Sequence, residues 1–248
     1  MSNAVINQVE EMSMDKPKTS QRLDAETRLS PIEDIIRDIA DGKMVVLVDD
    51  EDRENEGDLV MAAEKMTPEA VNFMITHGRG LLCMPMRQDR ASELGFVPMV
   101  VNNEDDFGTA FTVSCDATAD HGVTTGISAT DRATTIRLAA LGGVHADFNR
   151  PGHVFPLIAR EGGVLTRIGH TEAGCDLAAM AGLSPVGAII EIVGDDGEML
   201  RLPELVEWCA RHEIRISTIE RLRAHREAQV TEAALEWNLE SQSTSVNA

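Results

Sequence analysis

An acidic segment between two apolar runs is the first part of the sequence whose residue types indicate chemistry. The ten residues 49–58 contain seven carboxylates and one arginine, and they join the apolar runs 44–48 and 59–63. A charge run is usually a solvated surface. A tight connection between two buried strands, however, brings carboxylates close together, and their repulsion is costly unless a hard divalent cation or a buried arginine lies among them. The spacing does not match an EF-hand loop, so calcium in that form is not indicated.

Two histidines lie in segments that would suit an anionic substrate. His153 follows a Pro-Gly pair at 151–152 and precedes an apolar run, so it either ends a turn or takes part in acid/base chemistry. His170 lies in a polar segment that precedes a helix rich in alanine. Backbone N–H groups at a helix start, Thr171 as a cap and the neighbouring Arg167 form a candidate phosphate cradle, and an ordinary capped helix is the alternative.

Other polar positions have simpler explanations. Glu191 interrupts the apolar run 187–193, where a solvent-facing carboxylate is the commoner case, although a closed site would raise its pKa and suit it to proton transfer. Ser128 and Asp131 form a capping-box pattern, which is a sufficient explanation for both. Cys83 is interpreted as a buried core thiol rather than a nucleophile.

The elements that must position these residues alternate along the chain. Short apolar runs predict strands at 44–48, 59–63, 80–84, 110–115, 154–159, 188–193 and 215–219. Helical spacing predicts helices at 31–40, 68–76, 87–94, 131–141, 172–181, 203–212 and 220–239. Because strands and helices interleave while some spacings are hairpin-like, we predict an α+β fold with a mixed sheet and helices on its faces.

No linker rich in Gly, Ser or Pro divides the middle of the chain, so the simplest prediction is one domain over residues 30–240. Residues 1–29 mix both charge signs without a sustained period, and we expect a flexible N-terminal extension there. Residues 241–248 are predicted to form a C-terminal tail.

Composition narrows the class of protein. The 248 residues include 22 basic and 42 acidic side chains, which gives a formal charge of −20. Such a field repels phosphate backbones and anionic lipid, so nucleic acid and membrane surfaces are poor candidate partners. No apolar run approaches the roughly 18 residues of a spanning helix and no signal-peptide pattern is present, so we expect a cytoplasmic protein. The four widely spaced cysteines indicate neither a disulfide scaffold nor structural zinc.

Five segments together resemble the 3,4-dihydroxy-2-butanone 4-phosphate synthases of riboflavin biosynthesis. They are, in order, DDEDRENEGD at 49–58, HGRGLLC at 77–83, GVTTGISATDRATTI at 122–136, RPGHVFPL at 150–157 and GGVLTRIGHTEA at 162–173. The resemblance extends over about residues 31–219. Some members carry a fused GTP cyclohydrolase II domain with a cysteine zinc site. This sequence lacks those cysteines, so we expect the monofunctional form.

The resemblance implies a fold, a reaction and a metal. The fold is a three-layer α/β/α domain, and the assembly is a homodimer with active sites near the subunit interface. The enzyme is a carbon–carbon lyase that converts D-ribulose 5-phosphate to L-3,4-dihydroxy-2-butanone 4-phosphate and formate. The steps are metal-assisted enolisation, dehydration, skeletal rearrangement and loss of C4. The cofactor is Mg²⁺, with Mn²⁺ as a substitute and two ions per active site.

The resemblance also implies roles for residues at matching positions. Glu54 and His170 match the metal ligands, and His153 and Glu191 match the residues required for catalysis. The substrate contacts are Arg53, Glu54, Asp58, Arg167, Ile168, Gly169, His170, Thr171 and Glu191. No role follows for Cys83, Arg150 or Glu172.

Two other functions compete with this interpretation. A non-catalytic sensor of divalent cations would explain the carboxylates of the acidic segment, but it would leave the motifs around Arg150 and Arg167 without a task. A metal-dependent sugar-phosphate isomerase or aldolase would share the enediolate step. Release of formate separates all three functions.

Overall fold

The computed structural model describes residues 24–245, and their centre is a mixed seven-stranded sheet. In chain order the strands are β1 (Val45–Val48), β2 (Gly57–Ala62), β3 (Cys83–Arg87), β4 (Cys115–Ala117), β5 (Phe148–Ala159), β6 (Gly187–Glu191) and β7 (Ile216–Thr218). Their order across the sheet is β4-β5-β3-β6-β2-β1-β7. Strands β3 and β5 are parallel, as are β1 and β7, whereas the other neighbouring pairs are antiparallel.

Helices cover both faces of this sheet. They are α1 (Ile32–Ala40), α2 (Pro68–Phe73), α3 (Gln88–Leu94), α4 (Ala129–Ala140), α5 (His170–Met180), α6 (Leu202–His212) and α7 (Ile219–Ser245). One apolar cluster packs α1, α5 and α7 against one face, and a second packs α2, α3, α4 and α6 against the other. The predicted α+β fold with three α/β/α layers is therefore confirmed. No helix within residues 24–245 is both long enough and apolar enough to cross a membrane.

Helix α1 shows how the sequence pattern produces this packing. Ile32, Ile35 and Ile39 recur at helical spacing, and all three side chains are buried against the sheet. Burying an isoleucine completely contributes about 1.5–3 kcal/mol. Asp38 between them is also buried, whereas the other charged side chains of the helix are partly or fully exposed. The period of the apolar residues therefore fixes which face of the helix packs inward.

The segment around His153 differs from the prediction of a turn followed by a strand. Residues 150–153 lie inside β5, which begins at Phe148. Asn149 pairs with Asp116 and Val154 pairs with Cys115, so a bulge in the β4–β5 ladder absorbs the extra residues between them. The Pro-Gly pair that suggested a turn is accommodated by this irregular pairing, because proline cannot donate to a regular ladder.

The ends of the predicted domain also differ from the structure. Ala25 is buried and the backbone N–H of Ser30 donates to Ile216 O, so residues 24–29 pack on the domain although the predicted extension includes them. Residues 1–23 lie outside the described residues, and their flexibility stays a prediction. Helix α7 continues to Ser245, beyond the predicted boundary at 240, and 246–248 lie outside the described residues.

The sheet brings three chain segments to one of its ends. Strand β1 ends there, β2 begins there and β6 ends there, because both neighbouring pairs are antiparallel. The acidic loop 49–56 connects β1 to β2 at this end, and the first residue of α5 lies against it. Glu54, Asp58, His170 and Glu191 are thus collected by strand direction rather than by closeness in sequence.

Candidate active site

Asp49 is the buried first residue of the acidic loop, and its carboxylate contacts three other residues of the loop. Its carboxylate accepts hydrogen bonds from the backbone N–H groups of Glu56, at 2.8 Å, and Glu54, at 3.1 Å. The Arg53 guanidinium pairs with the same carboxylate at 2.8 Å and also pairs with the Glu54 carboxylate. The loop therefore folds around the half-buried Arg53. A buried arginine and a divalent cation were the two predicted ways of relieving the repulsion between the carboxylates.

His170 is the first residue of α5, and its ring is buried beside the acidic loop. Its Nε2 lies 3.1 Å from Leu47 O, which can only accept, so this nitrogen carries the proton. Nδ1 then presents its lone pair toward Glu54 Oε2, which lies 4.0 Å away. Burial lowers the pKa of His170, so the ring is neutral at neutral pH. A neutral imidazole whose other nitrogen is fixed by a carbonyl is the usual form of a metal-ligating histidine.

Asp49, Glu54 and His170 could hold a divalent cation. One ligand atom from each residue lies within 4.8 Å of the other two. Asp58 adds a second observation, because its Oδ1 is buried, has no hydrogen-bond partner and lies 3.7 Å from His170 Nε2. Burial and then the neighbouring Glu191 carboxylate raise the pKa of Asp58 well above its usual value. Carboxylates and an imidazole suit Mg²⁺ or Mn²⁺, so the residues present fit the cofactor.

Arg167 is held at the start of α5 by three groups. Its Nη1 donates to the buried Glu172 carboxylate at 2.6 Å, and its Nη2 donates to Thr109 Oγ1 at 3.0 Å and to Phe107 O at 3.2 Å. The Phe107 ring in turn lies 5.3 Å from the Arg53 guanidinium carbon. Two arginines are thus placed at one site, next to the N-terminal end of a helix that favours anions.

The predicted capping role of Thr171 is wrong. Helix α5 begins at His170, two residues before the predicted start, and Gly169 is its N-cap without a side-chain hydrogen bond. A Cβ atom at Gly169 would lie 2.4 Å from Arg167 Nη1, so only glycine allows this arginine to approach. Thr171 is buried within the first turn, and Ile168 packs at the edge of the apolar cluster around α5.

Glu191 lies at the end of β6 as the direct cross-strand partner of Asp58. Its Oε2 accepts a hydrogen bond from the backbone N–H of Leu81 at 2.7 Å. A Cβ atom at Gly80 would lie 2.3 Å from the same oxygen, so the glycine makes room for the carboxylate. Glu191 is half-buried beside Asp58 rather than on a free solvent-facing strand.

His153 is not in contact with this group within one chain. Phe155, Cys83, Ile189 and Val60 pair in a row across β5, β3, β6 and β2. Strands β5 and β2 run in the same direction, so His153 and Asp58 both lie two residues before this row, on the same face of the sheet. They are three strand spacings apart, or roughly 14 Å. The described contacts of the His153 side chain are with Asp116, which the sequence analysis did not identify.

Cys83 and Arg150 have structural tasks. Cys83 is buried in the sheet, and burial raises the pKa of its thiol, which agrees with the interpretation as a core residue. Arg150 donates to Phe148 O at 2.9 Å and to Leu94 O, and its guanidinium carbon lies 5.0 Å from the centre of the Phe96 ring. Arg150 therefore joins β5 to the end of α3 instead of facing the acidic loop.

Comparison with known proteins decides the family of this site. The family model for 3,4-dihydroxy-2-butanone 4-phosphate synthase matches residues 33–225. The chain belongs to this family. A relative of that name from Pseudomonas aeruginosa is 57% identical over 192 residues, which cover 77% of this chain and 52% of the relative. The riboflavin biosynthesis protein RibBA of Aquifex aeolicus is 55% identical over 213 residues, or 84% of this chain and 52% of that protein.

Solved structures of the family have the same fold. A 3,4-dihydroxy-2-butanone 4-phosphate synthase in complex with two magnesium ions superposes with a TM-score of 0.78 at 44% identity, covering 81% of this chain and 98% of that one. A two-domain synthase from A. baumannii has a TM-score of 0.74 at 48% identity, covering 78% and 56%. The chain spans about half the length of the curated relatives it matches. Since some relatives are RibBA proteins, the monofunctional form stays a prediction.

Proposed function

We propose that this chain converts D-ribulose 5-phosphate to L-3,4-dihydroxy-2-butanone 4-phosphate and formate, as a carbon–carbon lyase of riboflavin biosynthesis in the cytoplasm. The observation that carries the proposal is the joint placement of the cation-binding group with two anchored arginines. Asp49, Glu54 and His170 lie beside Arg53 and Arg167 at one end of the sheet, in a chain of the synthase family. A cation and a phosphorylated substrate would then occupy neighbouring positions.

Arg167 and the first turn of α5 would receive the phosphate group. The field of a protein with a charge of −20 opposes binding of a dianion, so local cations must offset it. Arg167 is suited to this task because Glu172 fixes one side of its guanidinium group. Arginine forms short, charge-assisted hydrogen bonds with phosphate oxygens, often two at a time.

Glu54 and His170 would bind the metal, with Asp49 adjacent, and we propose two Mg²⁺ ions per site, replaceable by Mn²⁺. When bound, the metal polarises the substrate carbonyl and hydroxyl groups and contributes several kcal/mol of charge stabilisation. The unpaired Asp58 oxygen faces the same space and would accept a hydrogen bond from a substrate hydroxyl.

Glu191 and His153 would move protons. The reaction requires removal of a proton beside the carbonyl, departure of a hydroxyl group, rearrangement of the carbon skeleton and release of one carbon as formate. The atoms of the substrate equal those of the two products, so the overall reaction consumes no oxidant or reductant. Each step needs a group that accepts or returns a proton, and a carboxylate with a neighbouring imidazole can do both.

We propose a homodimer because one chain separates these two groups. His153 is exposed on β5, which is two strand spacings from β6 with Glu191 and three from β2 with Asp58. A second copy that placed its His153 against the acidic loop would complete the site near the subunit interface.

The test is to incubate the purified protein with D-ribulose 5-phosphate and Mg²⁺ and to measure formate by a coupled formate dehydrogenase assay. We expect formate release that stops with EDTA and returns when Mg²⁺ or Mn²⁺ is added. Cation binding without any product would support the sensor function. Consumption of substrate without formate would support an isomerase or aldolase.

A further inference from the structure

Both carboxylate oxygens of Asp116 contact a single residue, His153. Asp116 lies in the middle of β4, where Oδ1 accepts a hydrogen bond from the backbone N–H of His153 at 2.8 Å, and Oδ2 lies 2.7 Å from His153 Nδ1. An ionised carboxylate can only accept, so Nδ1 must carry a proton. The lone pair of the neutral ring is therefore on Nε2, which points away from Asp116.

A tight loop closes over this pair of residues. Gly126 has a φ of +93°, and a Cβ atom there would lie 2.0 Å from Asp116 Oδ2 and 2.7 Å from His153 Nδ1. Any residue with a side chain is therefore excluded from position 126. The Asp131 carboxylate fastens the loop, because it accepts hydrogen bonds from Gly126 N at 3.0 Å and from Thr124 Oγ1 at 2.8 Å. Ser128 caps α4 as predicted, but the Asp131 carboxylate does not complete a capping box and instead anchors this loop beside the histidine.

If Asp116 had only a structural role, one of its two contacts with His153 would be sufficient. The backbone N–H of His153 lies at the bulge between β4 and β5, and one carboxylate oxygen satisfies it. The second oxygen instead holds the imidazole ring of His153, a side chain that is 42% exposed. Fixing a side chain that stays 42% exposed costs conformational entropy, which full burial would offset better.

We propose that Asp116 is a positioning residue that holds His153 with Nδ1 protonated, so that Nε2 is the atom that exchanges protons with the substrate. This inference rests on the proposed function. When Nε2 takes a proton, the ring becomes an imidazolium ion, and the adjacent carboxylate balances the new charge. Return of that proton restores the neutral ring, so no other reactant is needed.

The decisive variant is Asp116→Asn. Its amide oxygen still accepts from the backbone N–H of His153, which fixes the orientation of the amide. Its amide nitrogen then faces Nδ1 and donates to it, so the ring must carry its proton on Nε2 instead. We expect kcat to fall by at least ~10²-fold with KM changed less than about threefold, because the proton-accepting atom is lost while substrate contacts remain.

The tautomer is measured directly by long-range ¹H–¹⁵N NMR of histidine-labelled protein, with the His153 signals assigned from His153→Gln. We expect Nδ1–H in the unchanged protein and Nε2–H in Asp116→Asn. The matched control is Asp147→Asn, which alters a second histidine–aspartate pair, with Asp147 Oδ1 at 3.0 Å from His121 Nε2. That variant should keep kcat within about twofold, since His121 is outside the proposed site and contributes no acid/base step.

Two results would overturn the proposal. One is Nε2–H in the unchanged protein, which needs no variant to fold. The other is a kcat of Asp116→Asn within about threefold of the unchanged protein, well below the usual contribution of an acid/base group. Absence of formate release from the unchanged protein would instead contradict the proposed function, and the NMR measurement would still decide whether Asp116 sets the tautomer.

Discussion

Asp58 and Glu191 lie directly opposite each other on β2 and β6, so two carboxylates face the same space at the end of the sheet. Like charges in this position destabilise an antiparallel pair. Glu191 has a backbone N–H as a partner, whereas Asp58 Oδ1 is buried without one. The arrangement is unfavourable for the fold alone, and a bound cation or a substrate hydroxyl would relieve it.

The metal ligands can be tested without measuring activity. Glu54→Gln and His170→Ala should each weaken Mn²⁺ binding by at least ~10-fold, because each removes one ligand from the group. Electron paramagnetic resonance of free Mn²⁺ measures this affinity. The control is Asp52→Asn, which removes an exposed carboxylate from the same loop and should change the affinity less than about twofold. Equal effects in all three variants would show that the loop binds cations only through its overall charge.

The proton-transfer residues should affect rate more than binding. His153→Gln and Glu191→Gln should each lower kcat by ~10²–10⁴-fold, while the dissociation constant for substrate stays nearly unchanged. The amide oxygen introduced by Glu191→Gln can still accept from the backbone N–H of Leu81, so the melting temperature should change little. His121→Gln is the matched control, and its kcat should equal that of the unchanged protein. A kcat within about threefold for either test variant would remove that residue from the catalytic set.

Glu172 should act through Arg167 on substrate affinity. Glu172→Gln replaces a charge-assisted hydrogen bond to Nη1 with a neutral one, so we expect KM for ribulose 5-phosphate to rise about 10-fold with a smaller change in kcat. Asp176→Asn is the control on the same helix, because it breaks a comparable buried pair with Arg226. That variant should lose stability and keep its KM. A raised KM in both variants would mean that any damage to α5 has this effect.

A stability prediction follows from Asp38, which joins α1 to the loop before β1 and to the residue before β7. Hydrogen bonds from Lys43 and Arg215 lower the pKa of its carboxyl group, although burial opposes them. A lowered folded-state pKa contributes stability above the unfolded value of ~3.9 and loses it as pH falls through the folded value.

Asp38→Asn should therefore reduce the free energy of unfolding by about 1 kcal/mol at pH 7 and pH 5, with a smaller difference below pH 4. Urea denaturation at several pH values measures it. Asp34→Asn removes an exposed ion pair with Arg37 and should cost less than about 0.5 kcal/mol. If the loss of unfolding free energy in Asp38→Asn became larger as the pH falls, the result would contradict a lowered pKa of Asp38 in the folded protein.

The sequence predicts the layers of this fold well because each element carries its own pattern. The apolar strands around the acidic loop and the isoleucines of α1 lie where their periods place them. The candidate cation group is also predictable in part, since a strand-to-strand loop must fold its carboxylates together. Asp49 is distinguished by its place directly after a buried strand.

The remaining features depend on pairing between distant segments. His153 lies within a strand because a bulge in β5 itself accommodates residues 150–153, and periodicity along one strand does not show such a bulge. Asp116 belongs to a three-residue strand and to no recognisable motif, so only its partner identifies it. Gly169 caps α5 because Arg167 occupies the space of a side chain, which is a tertiary contact.

Release of one substrate carbon as formate distinguishes a synthase from an isomerase or an aldolase, and one isotope-labelling experiment measures it. D-Ribulose 5-phosphate with ¹³C at C4 is incubated with the protein and Mg²⁺, and the products are followed by ¹³C NMR. We expect the label to appear as formate, in an amount equal to that of an unlabelled four-carbon phosphate. A label that stays in a five-carbon sugar phosphate, as an isomerase would leave it, or passes into a three-carbon phosphate, as an aldolase would produce, would contradict the account.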